Sequence, residues 1–157
     1  DVLNLLGDRN ACCVTTFLDY YGLPNDFPGK SGRMSQASHP SVQELEEAFR
    51  RDIGDERFLP FLMLHEFEAL LFVDLEVVCS LVRPGTGVKQ FGNLDRFSTP
   101  EEINNGDDTH PSARLRRVLP RYQKALHGPL AAQRIGLNRM RSNCPHFNEW
   151  LTKIEQL

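Results

Sequence analysis

Phe58-Leu59-Pro60-Phe61-Leu62-Met63-Leu64-His65-Glu66-Phe67-Glu68 is the stretch on which the fold turns. A short apolar run of this kind, bounded by turn signals, reads as a buried strand. It ends directly in two glutamates. Pro60 places that part of the strand at its beginning or at a sheet edge, because proline brings no N–H to a ladder. Upstream, Ala11-Cys12-Cys13-Val14-Thr15-Thr16-Phe17-Leu18 reads as a first strand, closed by Asp19. Between the two, Ser41-Val42-Gln43-Glu44 has the capping-box pattern of a helix start. Val42, Leu45, Phe49 and Ile53 follow at helical spacing, and Gly54 marks the stop. Strand, helix, strand is the βαβ unit of a parallel α/β sheet. In such sheets ligands sit outside the carboxyl ends of the strands. Carboxylates delivered there from two strands would suit Mg²⁺, which prefers hard oxygen ligands.

The chain of 157 residues suits one domain, and 40% hydrophobic with 25% charged residues is ordinary globular composition. No apolar run reaches the roughly 18 residues of a membrane-spanning helix. Cys12, Cys13, Cys79 and Cys144 show no CxxC spacing and read as reduced thiols of a cytoplasmic protein. Charge is unevenly placed. Residues 1–108 carry nine Lys/Arg and nineteen Asp/Glu, hence −10; residues 109–157 carry nine and two, hence +7. A basic region of that kind points to a polyanion, RNA or DNA, although mutual attraction between the two regions accounts for the pattern equally well.

Asp1–Leu6 reads as a short helix stopped near Gly7. A helix feeding a strand normally follows an earlier strand, so further sequence is expected upstream. Tyr20–Gly29 and the polar Lys30–Pro40 stretch read as a long loop. After Glu66 the chain turns helical, with Phe67, Leu70 and Leu71 on one face, and Val73–Val82 extends that helix or forms a second one. Thr99-Pro100-Glu101-Glu102 opens a short helix with proline at its first position. Beyond Thr109, short helices are expected, broken at Pro120, Gly128-Pro129, Gly136 and Pro145. An α/β core over 1–98 and a basic helical extension over 99–157 follow.

Candidate site residues come from three clusters. Asp19 lies at a strand-to-loop junction, where aspartate is also a common turn former. On a regular helix Glu66 and Glu68 lie about 200° apart, so they reach one ion only where the backbone is extended between them. Acidic residues also suit a helix N-terminus for purely local reasons. His65-Glu66 does not open a zincin motif, because the second histidine would fall at Ala69. His65 can still serve as an acid, a base or a phosphate contact. Arg114, Arg117 and Arg121 recur at i, i+3, i+7, with Arg116, Lys124, Arg134, Arg139 and Arg141 nearby, and guanidinium groups suit phosphate. Arg114, Arg117, Arg121, Lys124 and Arg141 are the nucleic-acid candidates. Phe147, Trp150, Leu151 and Ile154 form a stripe better read as a buried helix face than as a base-stacking platform. Tyr20 and Tyr21, beside Asp19, are candidates to touch a base or a phosphate.

Several strings resemble domain-of-unknown-function family 4276: Val14–Pro24 (VTTFLDYYGLP), His65–Phe72 (HEFEALLF), Pro100–Asn104 (PEEIN), Pro111–Arg114 (PSAR) and Cys144–Leu151 (CPHFNEWL). That family is similar to the Toprim fold of topoisomerases, primases and overcoming-lysogenization-defect nucleases. Members are often paired with an ATPase in bacterial anti-phage systems, including the effector subunit of the PARIS type. The resemblance implies an N-terminally truncated Toprim-like parallel-sheet core binding Mg²⁺, or Mn²⁺ in its place. Asp19 matches the first residue of the usual Asp-x-Asp; the second position is Tyr21. Glu66 and Glu68 would have to supply what that aspartate normally does. A glutamate expected after the family's first strand would fall upstream. The implied function is metal-dependent cleavage of nucleic-acid phosphodiesters alongside an ATPase partner. The departure at Tyr21 favours a rival, a non-catalytic Toprim-like module that docks on the ATPase.

Overall fold

The computed structural model describes residues 1–30, 39–103 and 109–157. The described chain is mixed α/β, with seven α-helices and two small parallel sheets. No described helix is long and apolar enough to cross a membrane. The chain divides into two compact units, residues 1–64 with 150–157, and residues 65–149. The composition boundary at 98/99 falls inside the second unit.

The first unit opens with helix α1 (Val2–Leu6), where the Asp1 carboxylate accepts from the Leu3 N–H at 3.1 Å and Gly7 closes the helix. The expected first strand forms as two short ladders, β1 (Val14–Thr15) and β2 (Leu18–Asp19). β1 pairs in parallel with β3 (Phe58–Leu59), and β2 pairs in parallel with β4 (Leu62–Met63). Pro60 is the reason for the break, since it offers no N–H to the ladder. The Thr16 hydroxyl stands in for the missing backbone pairing. It accepts from the Phe61 N–H at 3.1 Å and lies 3.3 Å from the Phe61 carbonyl. Asp19 closes β2 and sits opposite Met63 in the register.

Helix α2 (His39–Ile53) connects the strands. It starts two residues before the expected capping box at Ser41, because Pro40 is compatible with a first helical turn. His39 and Pro40 therefore belong to the helix and not to the loop; residues 31–38 of that loop lie outside the described residues, as does Asn104 of PEEIN. The predicted stripe faces inward. Val42 and Leu45 are buried with Tyr20, Leu23, Phe27, Leu62 and Leu64. Phe49 packs against that cluster and also against a second one of Leu6, Val14 and Phe58, which Ile53 joins. Gly54, at φ +69°, closes α2 with its N–H on the Arg50 carbonyl.

Trp150 belongs to this unit. Its ring stacks on Phe61 at 4.5 Å between centroids, and its Nε1–H donates to the Thr15 hydroxyl at 2.8 Å. Of the stripe read as a buried face, Phe147 is buried, while Trp150, Leu151 and Ile154 are half-buried. All four cysteines are free thiols, with Cys79 and Cys144 buried.

The second unit is organised around residues 67–74. These form a 3₁₀-helix rather than an α-helix, and α3 (Leu75–Val82) follows as a separate helix capped by the Asp74 carboxylate. Glu68, Ala69, Leu70, Leu71 and Phe72 are all buried, so the segment is covered on every side instead of along one face. It packs against α3, α4 (Pro111–Val118), α5 (Lys124–Ile135), α6 (Leu137–Asn143) and the short helix Pro100–Glu102. Breaks fall at Pro120 and Gly136, but α5 runs through Gly128-Pro129. Pro129, the sixth of its twelve residues, costs the helix one N–H. A β-carbon at residue 128 would sit 3.2 Å from Phe67 Cε1, so glycine permits close packing there. α7 (Pro145–Ile154) carries the boundary between the units.

Candidate carboxylate site

Glu66 and Glu68 follow β4 by three and five residues, and the backbone between them explains how they meet. Glu66 is extended, at φ −155° and ψ 162°, and Glu68 is already in the first turn of the 3₁₀-helix. An extended residue entering a tight helix removes the 200° separation of a regular α-helix. Both carboxylates turn to one cation. The Lys124 ammonium, at the first residue of α5, lies 2.9 Å from Glu68 Oε2 and 3.9 Å from Glu66 Oε2. The closer approach is an ion pair off the hydrogen-bonding angle.

The other oxygen of each carboxylate is held by the protein. Glu66 Oε1 accepts from the Ser112 N–H at 2.6 Å and lies 2.8 Å from His110 Nδ1. Ser112 is the second residue of α4, so Glu66 receives an orphan N–H at a helix start. Glu68 Oε1 accepts from the Tyr122 hydroxyl at 3.3 Å. Arg116 reaches the Ser112 hydroxyl at 3.3 Å.

The environments push the two acids in opposite directions. Burial raises Glu66, but the Ser112 N–H and His110 outweigh it and hold the carboxyl below the usual range. Burial raises Glu68 more than Lys124 can offset, and its carboxyl stays above the usual range. Neighbouring carboxyls separated in this way are a recurrent arrangement for dividing ionic and proton-carrying roles. Burial also drives His65 down to about 4, with His110 opposing its charge and Glu66 favouring it. His65 is therefore a neutral imidazole near neutral pH. The Tyr122 phenol is pushed well above its ordinary value by burial and by Glu68.

The basic candidates separate. Arg117 and Arg121 are exposed, with Arg121 beyond the end of α4. Arg114 is turned inward, because positions 111, 114, 115 and 118 share the buried stripe of α4. Lys124 is engaged by the two glutamates, and Arg141 donates from Nε to Asn148 Oδ1 at 2.8 Å. Arg139, exposed, pairs with Asp74. Asp19 belongs to the first unit. It is half-buried and lines a cavity of about 480 Å³ with Leu23, Pro24, Phe27, Phe49 and Asp52. Tyr20 is buried in that unit's core and Tyr21 is exposed.

Three participants escape the sequence reading. His110 and Tyr122 have no motif around them. Glu101 is buried in the second unit and accepts from the N–H groups of His146 and Phe147 at 3.0 and 2.9 Å, capping α7 from a distance. The available signal is that α4 and α7 both open on proline, after His110 and Cys144. Neither preceding residue is a preferred N-cap, so an acceptor from elsewhere is needed.

Among the described residues, no group of three or more His, Cys, Asp or Glu side chains is arranged to hold a metal ion. Mg²⁺ commonly takes only one or two protein carboxylates, with waters and substrate phosphate completing its shell. Glu66 Oε2 and Glu68 Oε2, already directed at one cation and steadied through their Oε1 atoms, fit that smaller requirement.

Fold and site together define a mixed α/β protein with a buried pair of carboxylates converging on a cation. The chain belongs to the family described as a domain of unknown function (DUF4276), which it matches over residues 1–155. No curated protein and no solved structure matches it.

Proposed function

We propose that this chain is a Toprim-like nuclease effector, cleaving phosphodiesters of RNA or DNA with Mg²⁺ or Mn²⁺ and acting with an ATPase partner in anti-phage defence. One observation carries the proposal: Glu66 and Glu68, three and five residues beyond a parallel strand, direct one oxygen each at a single cation, the Lys124 ammonium. Glu66 and Glu68 would hold the metal, whose chemistry when bound is stabilisation of charge on the attacking and leaving oxygens. Glu66 contributes a standing negative charge, fixed by the α4 N-terminus. Glu68, raised by burial, is the carboxyl suited to hold or pass on a proton. His65, neutral, contributes a dipole and packing rather than charge. Exposed Arg117 and Arg121 would meet backbone phosphates, which give affinity without sequence information. Asp19, which the family resemblance assigns to metal, is tested on its own by substitution.

A second reading, the non-catalytic module docking on an ATPase, rests on a specific observation. Glu66 and Glu101 do the same structural work, each capping a helix that opens on proline. On this reading the Glu66–Glu68–Lys124 group is a folding device. The experiment compares the natural full-length protein with Glu68→Gln, Glu66→Gln and Asp19→Asn, incubated with labelled RNA and DNA and Mn²⁺. Cleavage that requires metal and disappears in folded Glu68→Gln is expected. Undiminished cleavage in that variant, or none by the native protein with its ATPase present, would move the assignment to the module.

A further inference from the structure

Lys124 is an unusual residue for its position. It is the first residue of α5, where the positive end of the helix dipole disfavours a cation, and no acidic residue stands in that first turn. The carboxylates that hold it come from elsewhere in the chain, Glu68 at 2.9 Å and Glu66 at 3.9 Å. Two other described carboxylates are paired with arginine. Arg57 grips both oxygens of Asp55, from Nε at 3.1 Å and from Nη2 at 2.8 Å, and Arg139 pairs with Asp74. Glu66 and Glu68 share a lysine instead, a point charge on a flexible stem, with one close approach and one long one.

Exposure separates the three side chains. That of Lys124 is 50% exposed, whereas those of Glu66 and Glu68 are 10% and 0% exposed. The ammonium has a way out to water that the carboxylates do not share. Nor does their placement depend on it. Glu66 Oε1 is held by the Ser112 N–H and His110. Glu68 Oε1 is held by the Tyr122 hydroxyl, whose ring stacks on His127 with centroids 5.9 Å apart. The two Oε2 atoms face the ammonium, and a second cation on the same two atoms would meet its charge at close range. Repulsion of that kind is strong where little water intervenes.

We propose that Lys124 is an exchangeable internal counter-ion. It balances the Glu66–Glu68 pair, and it yields the two Oε2 atoms to a divalent cation by swinging outward on its exposed stem. The inference rests on the reading of that pair as a metal seat and adds a regulation to it. Metal affinity is set by competition with an ammonium tethered beside the seat, so the seat loads only above a threshold of free divalent ion.

Two measurements on the full-length protein test this. Calorimetric titration with Mn²⁺ compares wild type, Lys124→Gln and Lys124→Arg, with Glu68→Gln as the control for location. Lys124→Gln should bind Mn²⁺ about tenfold or more tighter than wild type, or bind where wild type does not. Lys124→Arg, whose fork grips the pair more firmly, should bind no tighter than wild type. The second measurement uses wild type alone and so holds where Lys124→Gln fails to fold. Acylation of lysine amines is followed at each site by mass spectrometry. Lys124 should be modified severalfold faster with Mn²⁺ than without it, while exposed Lys89 changes little. Equal Mn²⁺ affinity of wild type and Lys124→Gln, or Lys124 acylation unchanged by bound Mn²⁺, overturns the exchange and leaves the metal seat standing. Binding undiminished in Glu68→Gln, or no binding by wild type and Lys124→Gln alike, overturns the metal seat and the exchange with it.

Discussion

Lys124→Ala removes the cation that Glu66 and Glu68 share, and its consequences can be worked through in sign and size. The Lys124 side chain is 50% exposed, so its own share of the ion pair is screened and amounts to about 1 kcal/mol or less. Most of the cost falls on Glu68, whose side chain is 0% exposed and loses its counter-charge. A stranded buried charge costs roughly 3–5 kcal/mol. Glu68 can escape part of that by taking a proton, which costs about 1.4 kcal/mol for each pH unit between its folded pKa and the solution. A carboxyl raised in the folded state stabilises the fold fully below its unfolded pKa, and that contribution is lost as pH rises through the folded pKa. The variant should therefore be close to wild type at pH 5 and about 2–3 kcal/mol less stable at pH 8. Mn²⁺ should reverse the deficit, since a ligand at 100 times its Kd adds about 2.7 kcal/mol. Urea unfolding at both pH values, with and without Mn²⁺, measures each of these contributions. Equal stability of variant and wild type at pH 8 would refute the electrostatic account. A deficit that Mn²⁺ fails to reverse would refute the cation seat.

Other substitutions probe the scaffold separately. Glu101→Ala strips two N–H acceptors from the start of α7 and should cost about 2–4 kcal/mol in urea unfolding, while Glu102→Ala, on an exposed neighbour, should cost far less. His65→Gln should flatten the acid limb of the stability curve. A histidine lowered to about 4 lends stability above its unfolded pKa near 6.5 and loses it as pH falls toward 4, so wild type but not the variant should weaken across that window in thermal melts. Gly29→Ala should destabilise by about 2 kcal/mol or more, since φ there is +79° and the new β-carbon would lie 2.6 Å from Ala48 Cβ; a neutral result in a chemical melt would contradict the packing described.

The βαβ order, the inward stripe of α2, the stop at Gly54 and the carboxylates placed just beyond strand ends were legible in the chain itself, whereas Pro60, read as a strand start or an edge position, instead splits the strand in two. Each follows from local chemistry. Period 3.6 against period 2, the missing proline N–H and glycine's left-handed backbone act within a few residues, and a linear sequence displays them directly. Other features depended on neighbours distant in sequence. Residues 66–68 are spaced wrongly for a shared ion on an α-helix, and only burial on all sides holds the following segment as a 3₁₀-helix with Glu66 extended before it. Lys124, read as a phosphate contact, meets those glutamates because α5 packs against that segment. Arg114, read as a nucleic-acid contact in a basic row at helical spacing, turns inward with Leu115 and Val118. Sequence supplied the charges and their spacing along each element. Tertiary packing decided which charges lost their water and which partners they found, and these are the two quantities that set a carboxyl's proton affinity.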